Sequence, residues 1–225
     1  MDAIKCIAAI WLLATGVASA STDPIPTNPE TGAHVNRYAY ANNHPYGFVD
    51  PDGRAARIVH HADGIRIELP AHFTGAGATQ QNVDHIRRGF EAQSGVYVVG
   101  GQATRVDFRI TQITGRTPRR LRNEVKLFLG NTDHPEGHPG SYAYVGGTQA
   151  SIDVTGRDFP YGVGEHELNH LAGGRDAYRV DDAGNKIPNP ARTGDVMNAL
   201  PGKMTDTVID EMLRERNNVH VRERT

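Results

Sequence analysis

Three stretches of this 225-residue chain predict an α+β protein. TRVDFRITQI, at positions 104 to 113, alternates apolar with polar side chains, which is the period of a strand with one buried face. RIVHHADGIRIEL, at 57 to 69, has two apolar runs around Asp63-Gly64 and predicts a β-hairpin. ATQQNVDHIRRGFEAQSG, at 78 to 95, has the apolar spacing of a helix.

The helix predicted at 78 to 95 has Val83, Ile86 and Phe90 on one face, and we expect that face to pack on the sheet. Thr79 is a suitable N-cap, because its hydroxyl can accept a hydrogen bond from a backbone N–H of the first turn. Gly95 is a suitable stop.

The second half of the chain predicts further strands and a last helix. EVKLFLG, at 124 to 130, predicts a strand, and residues 131 to 140 predict a loop. Residues 141 to 155 predict either one strand or a hairpin. TDTVIDEMLRERN, at 205 to 217, predicts an amphipathic helix. Its cap is Thr205 or Asp206, and its apolar stripe consists of Val208, Ile209, Met212 and Leu213.

Composition bounds the class of protein. Charged residues make up 22% and hydrophobic residues 38% of the chain, which excludes wholesale disorder and fits one medium domain with or without an appendage. The formal net charge of -2 gives no support for a nucleic-acid partner. We therefore expect a globular domain that binds no nucleic acid.

The first 20 residues predict a secretory signal peptide. Lys5 precedes an apolar run from Cys6 to about Val17, and Ala18-Ser19-Ala20 has the small-x-small pattern of a cleavage site. The run is shorter than the roughly 20 residues that span a bilayer, which favours cleavage near Ala20 over a retained N-terminal anchor. We expect a secreted or periplasmic protein with no membrane contact after cleavage. Because Cys6 is the only cysteine, the mature chain is expected to have no disulfide.

Residues 21–55 predict a linker, since STDPIPTNPETGA is rich in Pro, Thr and Asn. NRYAYANNHPYGFVDPDGR, at 36 to 54, then interleaves turn signals with aromatic residues. The order Tyr-x-Tyr, Asn-Asn-x-Pro, Asp-Pro-x-Gly-Arg resembles the closing signature of RHS repeat-associated cores, in which a β-rich shell is followed by a variable toxin domain. This chain has a signal-like stretch where the repeat shell would stand. The resemblance therefore implies only a kinship of the downstream domain at 56–225.

GVGEHELNHLAGGRDAY, at 162 to 178, contains the pattern H-E-x-x-H, with His166 and His170 four residues apart. On a helix such residues lie on the same face, so both imidazoles can reach one ion, and neutral imidazole suits Zn²⁺. Glu167 can reach the open side of that ion, where it would hold a water and not bind the metal itself. The motif predicts a zinc site.

A helix supplies only two ligands, so a third must come from another part of the chain. Gly173-Gly174 is predicted to end the helix, because glycine adopts left-handed conformations without steric cost, and Asp176 follows directly. Other groups remain alternatives: Glu211 as the third ligand, as in thermolysin-like enzymes; Asp181 and Asp182, which fit a turn better; and His134 with His138 as a second metal site.

The full pattern H-E-x-x-H-x-x-G-x-x-D resembles the metzincin metalloproteases, in which a methionine-containing turn lies beneath the zinc. Aspartate is the third ligand in a minority of the family, including secreted bacterial members such as snapalysin. GDVMNA, at 194 to 199, is similar to the methionine turn. The resemblance implies that His166, His170 and Asp176 bind Zn²⁺, that Glu167 is the general base and that Met197 forms the apolar floor.

The metzincin resemblance also implies an architecture. It consists of a twisted mixed β-sheet with a backing helix and an active-site helix, followed by an irregular C-terminal subdomain ending in a helix. An edge strand within 141–154 would pair with the extended substrate. In one departure, many metzincins place a tyrosine two residues after the turn methionine, where this chain has Ala199. Tyr178 is the candidate to assist oxyanion or substrate binding instead.

These resemblances together imply a secreted zinc endopeptidase that hydrolyses peptide bonds by metal-activated water. Its role is either degradative or that of a toxin, and its expected partners are a protein or peptide substrate and, for a toxin, an immunity protein or inhibitor. The alternative is a non-catalytic zinc-binding RHS-associated toxin or interaction module. If residues 21–55 act as a propeptide, Asp50 or Asp52 is the candidate group to block the zinc.

Overall fold

The computed structural model describes residues 56–113, 117, 122–130, 140–181 and 185–223. Within these residues the chain is a mixed α+β structure with an eight-stranded sheet, a two-stranded sheet and three α-helices. Several predictions fall outside the described residues: the signal peptide at 1–20, the linker and RHS-like segment at 21–55, the loop at 131–139 with His134 and His138, and Asp182.

The secondary-structure elements have the following bounds. In chain order they are β1 Arg57–His61, β2 Gly64–Thr74, α1 Gln80–Glu91, β3 Gly95–Val99, β4 Gln102–Gln112, β5 Asn123–Phe128, β6 Tyr142–Ala143, β7 Gln149–Asp153, α2 Val163–Leu171, β8 Arg179–Val180, β9 Lys186–Ile187, α3 Asp206–Arg214 and β10 Val219–Arg222.

The large sheet is mixed. Its strands follow the order β10-β1-β2-β5-β7-β6, with β4 beside β2 and β3 beyond β4. Antiparallel pairing joins β1 to β2, β3 to β4 and β6 to β7. The other neighbours are parallel. β6 therefore lies at one edge of the sheet, next to the strand on which α2 packs.

The predicted hairpin at 57 to 69 is confirmed, with β1 and β2 joined at Asp63-Gly64. The predicted strands at 104 to 113 and 124 to 130 are confirmed as β4 and β5, and the hairpin alternative for 141 to 155 is confirmed as β6 and β7. Val106, Phe108 and Ile110 are buried, as their alternation predicts.

The first helix is confirmed, but its predicted end is wrong. Thr79 caps α1, because its hydroxyl accepts a hydrogen bond from the Asn82 N–H at 3.3 Å. The helix ends at Glu91, and Gly95 instead begins β3, which was not predicted. β3 pairs with β4 from Gly95 opposite Val106, so the sheet partner decides the conformation of this segment.

The last helix is confirmed as α3, capped by Thr205. The prediction that the C-terminal part ends in a helix is wrong, because β10 follows α3 and pairs parallel with β1. Asn218 is buried in the connection between α3 and β10, and its hydrogen bonds stabilise that connection. Its side chain accepts from the Ala56 N–H and donates to the carbonyls of Ala172 and Met212, at 2.7 to 3.0 Å.

The core lies between the sheet and the three helices, and it fixes α2 in place. Leu168 and Leu171 of α2 are fully buried and belong to the same apolar cluster as Ile86 of α1 and Ile152 of β7. α2 packs against α1, β6 and β7. Across the described parts of the chain, none of the helices has the length and apolar character needed to cross a membrane.

Candidate metal centre

α2 places the two motif histidines on one face, one turn apart. The rings of His166 and His170 lie with their centroids 4.7 Å apart and their planes at 86°. Both side chains are buried, with 7% and 5% of their surface exposed. Because Leu168 and Leu171 dock the opposite side of the helix into the core, this face is held rigidly.

Both imidazoles are oriented by backbone carbonyls. Nδ1 of His166 lies 2.9 Å from the carbonyl oxygen of Val196, and Nδ1 of His170 lies 2.9 Å from that of Gly174. A carbonyl oxygen can only accept, so in each ring Nδ1–H donates and Nε2 carries the free lone pair. Such contacts fix the tautomer that a metal ligand needs.

Gly173 ends α2 and turns the chain back towards the histidines. Its φ of 102° lies in the left-handed region, and a Cβ there would lie 2.5 Å from Cβ of Glu215. Glycine is thus required on both conformational and steric grounds. After this turn, Oδ1 of Asp176 lies 3.3 Å from Nε2 of His166 and 3.4 Å from Nε2 of His170.

The donor set fits a divalent metal ion. The ligand atoms of His166, His170 and Asp176 all lie within 4.8 Å of one another. A tetrahedral zinc ion with bonds of about 2.0–2.1 Å separates its ligand atoms by about 3.3–3.4 Å, which is the spacing between Asp176 Oδ1 and the two imidazole nitrogens. Two nitrogens and one carboxylate oxygen form a ligand set common in catalytic zinc sites.

The site is open on its Asp176 side. The Asp176 side chain is 38% exposed, whereas the imidazoles are buried. Structural zinc sites usually close all four positions with protein ligands, but catalytic sites keep one for water or substrate. The group therefore faces solvent on one side.

Met197 lies in a turn beside Val196, whose carbonyl orients His166, and its predicted role as the apolar floor of the metal site stays a prediction. The residue is fully buried and belongs to the core cluster, in the turn that follows Val196. Its N–H donates to Oδ1 of Asp195 at 2.7 Å, and its carbonyl accepts from the Ala177 N–H at 2.8 Å. The methionine turn is thus bonded directly to the residue after Asp176.

Glu211 of α3 also links the turn around Met197 to the loop that carries Asp176. Glu211 Oε2 accepts from the Arg175 N–H at 2.9 Å, and Oε1 accepts from Nη1 of Arg192 at 2.9 Å. Arg192 in turn binds the Asp195 carboxylate at 2.7 to 2.8 Å. Glu211, the alternative third ligand, instead holds the loop that carries Asp176.

Replacing Glu211 by alanine is expected to weaken zinc binding about tenfold, because the Arg175 N–H and Arg192 lose the carboxylate that fixes the Asp176 loop. Competition with a chromogenic chelator measures the affinity. Asp210→Ala is the matched control, since Asp210 is on the same helix and contacts only the exposed Arg214 side chain in the described structure. Equal zinc affinity in the two variants would show that Glu211 does not position the loop.

The charges of the site shift one another's pKa values. Burial alone would lower the pKa of His170, but the adjacent Asp176 and Glu167 carboxylates outweigh it and raise that pKa. Burial would raise the pKa of Asp176, but the two imidazoles hold it well below its usual range. Burial raises the pKa of Glu167, with the two histidines acting in the opposite direction. Glu167 is therefore a stronger base than an exposed glutamate.

Tyr178 lies beside Asp176. Burial raises the pKa of its hydroxyl, and the negative charge of Asp176 adds to the rise, so it remains a protonated donor at neutral pH. Lys186 Nζ lies 4.4 Å from the centre of its ring. The Asp181 carboxylate accepts from the Asn185 N–H at 2.7 Å, and residues 182–184 of the predicted turn lie outside the described residues. Ala199 lies in the turn region after Met197 and has no hydroxyl to offer.

Sequence reasoning missed the groups that orient the ligands. Val196 and Gly174 act through backbone carbonyls, which every residue has, so no side-chain pattern could reveal them. The link through Glu211 and Arg192 depends on contacts between residues 19 positions apart in sequence.

No protein-family model matches the chain, and no curated protein matches it in sequence.

Proposed function

We propose that this protein is a zinc-dependent endopeptidase with a metzincin-like fold, secreted and acting on a protein or peptide substrate. One observation carries the proposal. The side chains of His166, His170 and Asp176 converge with metal-ligand spacing and an exposed side, next to the buried carboxyl of Glu167. The segment at 36 to 54, which resembles the closing signature of RHS repeat-associated cores, favours a toxin or effector role over a purely degradative one. An immunity protein is then the expected inhibitor.

Zinc bound by His166, His170 and Asp176 would supply a Lewis acid that polarises the scissile carbonyl and makes water acidic enough to react near neutral pH. Glu167 takes one proton from the attacking water. The water oxygen bonds to the carbonyl carbon, the C–N bond breaks, and Glu167 returns the proton to the leaving amine nitrogen. The products are a carboxylic acid and an amine, and transfer of the acid proton to the amine gives a carboxylate and an ammonium group.

Two further parts of the chain are suited to holding the substrate. Tyr178 keeps its phenol proton, which it donates to Asp176, and it would have to turn from that carboxylate to donate to the carbonyl oxygen while negative charge develops there. β6 is an edge strand, and the Gly146 N–H beyond it donates to the His170 carbonyl at 2.8 Å, which holds this edge against α2. An extended peptide added to β6 would therefore lie next to the metal site.

The test is hydrolysis of unfolded casein by the purified chain with and without a chelator. We expect cleavage with about one equivalent of zinc, loss of cleavage after zinc removal, and recovery when zinc is returned. Stoichiometric zinc without any cleavage would instead support the non-catalytic zinc-binding module.

A further inference from the structure

A cavity lies between α1 and the start of α2. It has a volume of about 450 Å³, which is within the range of about 300–1,000 Å³ for ligand pockets. α1 and β3 form one wall, and the start of α2 with the segment after the methionine turn forms the other. Val196 lines the cavity, and its carbonyl orients His166.

Glu165 lines this cavity, and one oxygen of its carboxyl group lacks a partner. The residue is 7% exposed, and its Oε2 atom is buried with no hydrogen-bond partner among the described residues. Burial raises the pKa of Glu165, and a hydrogen bond from its own backbone N–H and the charge of His85 act in the opposite direction. A buried carboxyl oxygen left without a partner costs free energy, so its retention needs an explanation.

A purely structural role does not provide that explanation. Asp195 lies in the same part of the fold and is buried to 2% exposure, and its carboxylate is fully used. It accepts from the Met197 N–H, the Thr205 hydroxyl and the Arg192 guanidinium. Glu165 has no comparable set for Oε2, although the fold satisfies a buried carboxylate elsewhere.

The chain also keeps space for the Glu165 carboxyl. Gly89 lies in the interior of α1, where glycine costs about 1 kcal/mol relative to alanine. A Cβ at Gly89 would lie 1.5 Å from Oε1 of Glu165. Gly89 therefore makes α1 less stable than alanine would, at the position where the helix meets the Glu165 carboxyl.

We propose that this cavity receives a basic side chain, lysine or arginine, of the peptide substrate, and that Glu165 is its counterion. A cation would give Oε2 its missing partner, and the rings of Tyr97 and Tyr161 in the walls suit a cation with a long alkyl stem. Lys203 also lines the cavity but is exposed, so solvent screens its charge. This inference rests on the proposed peptidase function, and Val196 is the residue that links the cavity to His166.

Peptide binding to the full chain tests the proposal directly. The zinc-loaded Glu167→Gln protein is titrated with dye-labelled decapeptides that differ at one position, lysine or norleucine, and affinity is measured by fluorescence anisotropy. We expect the lysine peptide to bind about tenfold more tightly, as a charge-assisted contact in a desolvated site allows. Adding Glu165→Gln should make the two affinities equal, while Asp210→Asn should leave the preference unchanged. Equal affinities before the Glu165 change would overturn the proposal.

Gly89→Ala provides a second variant that keeps the charge. Its Cβ would displace the Glu165 carboxyl, so the lysine preference should fall although the acid remains. An unchanged preference in a folded Gly89→Ala protein would also overturn the proposal.

Cleavage-site mapping separates this inference from the proposed function. Casein digested by wild type is expected to yield sites enriched for a basic residue at one fixed position relative to the cut bond. Cleavage without that enrichment would overturn the cavity assignment and leave the peptidase standing. A lysine preference in binding without any cleavage by wild type would overturn the peptidase and leave the cavity as a cation site.

Discussion

Glu167→Gln is expected to reduce peptide cleavage by about 10²–10⁴-fold while zinc binding stays within about twofold of wild type. The change keeps the size of the side chain but removes the carboxylate that accepts a proton from water. Glu167 is buried, and burial raises its pKa, so in wild type it is a stronger base than an exposed glutamate. Turnover of a quenched-fluorescence peptide, with zinc content measured on the same sample, gives both quantities.

The exposed Asp210→Asn variant is the control for the Glu167 experiment, because it makes the same acid-to-amide change away from the site. Cleavage at the wild-type rate by zinc-loaded Glu167→Gln would show that another group is the base. Loss of zinc together with loss of cleavage would show that Glu167 supports the metal site and would not assign it a proton-transfer role.

Asp176→Ala is expected to weaken zinc binding by more than the roughly 10–100-fold that changes in outer partners of metal ligands produce. The variant removes the carboxylate whose Oδ1 lies 3.3 to 3.4 Å from both imidazole nitrogens. His166 and His170 stay oriented by the carbonyls of Val196 and Gly174, so weak two-ligand binding should persist. Chelator competition at fixed pH measures the change, and wild-type affinity in this variant would remove Asp176 from the ligand set.

The pH dependence of zinc binding follows from the same contacts. In the metal-free protein the pKa of His170 is raised above 6.5 by the neighbouring carboxylates, so protons compete with zinc for Nε2. Zinc affinity should therefore fall as the pH drops through that raised pKa. The stability of the metal-free protein behaves in the opposite way. The His170 contribution is fully present below 6.5 and is lost as the pH rises through the raised pKa.

The sequence predicted those helices and strands whose defining contacts lie between residues close together in the chain. The hairpin at Asp63-Gly64, the alternation of β4 and the capped helices at Thr79 and Thr205 follow from neighbouring residues, and the structure confirms them. β3 and β10 escaped prediction because each depends on a partner strand elsewhere in the chain. Asn218 shows the difficulty, since its three contacts reach residues 6, 46 and 162 positions away.

The candidate site shows the same difference between local and long-range contacts. The spacing of His166, His170, Gly173 and Asp176 encodes the ligand geometry locally, because one helix and one glycine turn suffice to bring the groups together. The partners that hold those ligands, and the unpartnered Oε2 of Glu165, arise from packing between elements. No sequence motif marks them.

X-ray absorption spectroscopy of the zinc-loaded protein tests the central claim most directly, because it reports the atoms bound to the metal. We expect one zinc per chain with two imidazole nitrogens and carboxylate oxygen in the first shell, at about 2.0–2.2 Å, with the remaining position filled by a light atom from solvent. Loss of both imidazole signals in a His166→Ala, His170→Ala double variant would complete the assignment. A first shell without imidazole scattering in wild type, or no stoichiometric zinc, would contradict the account.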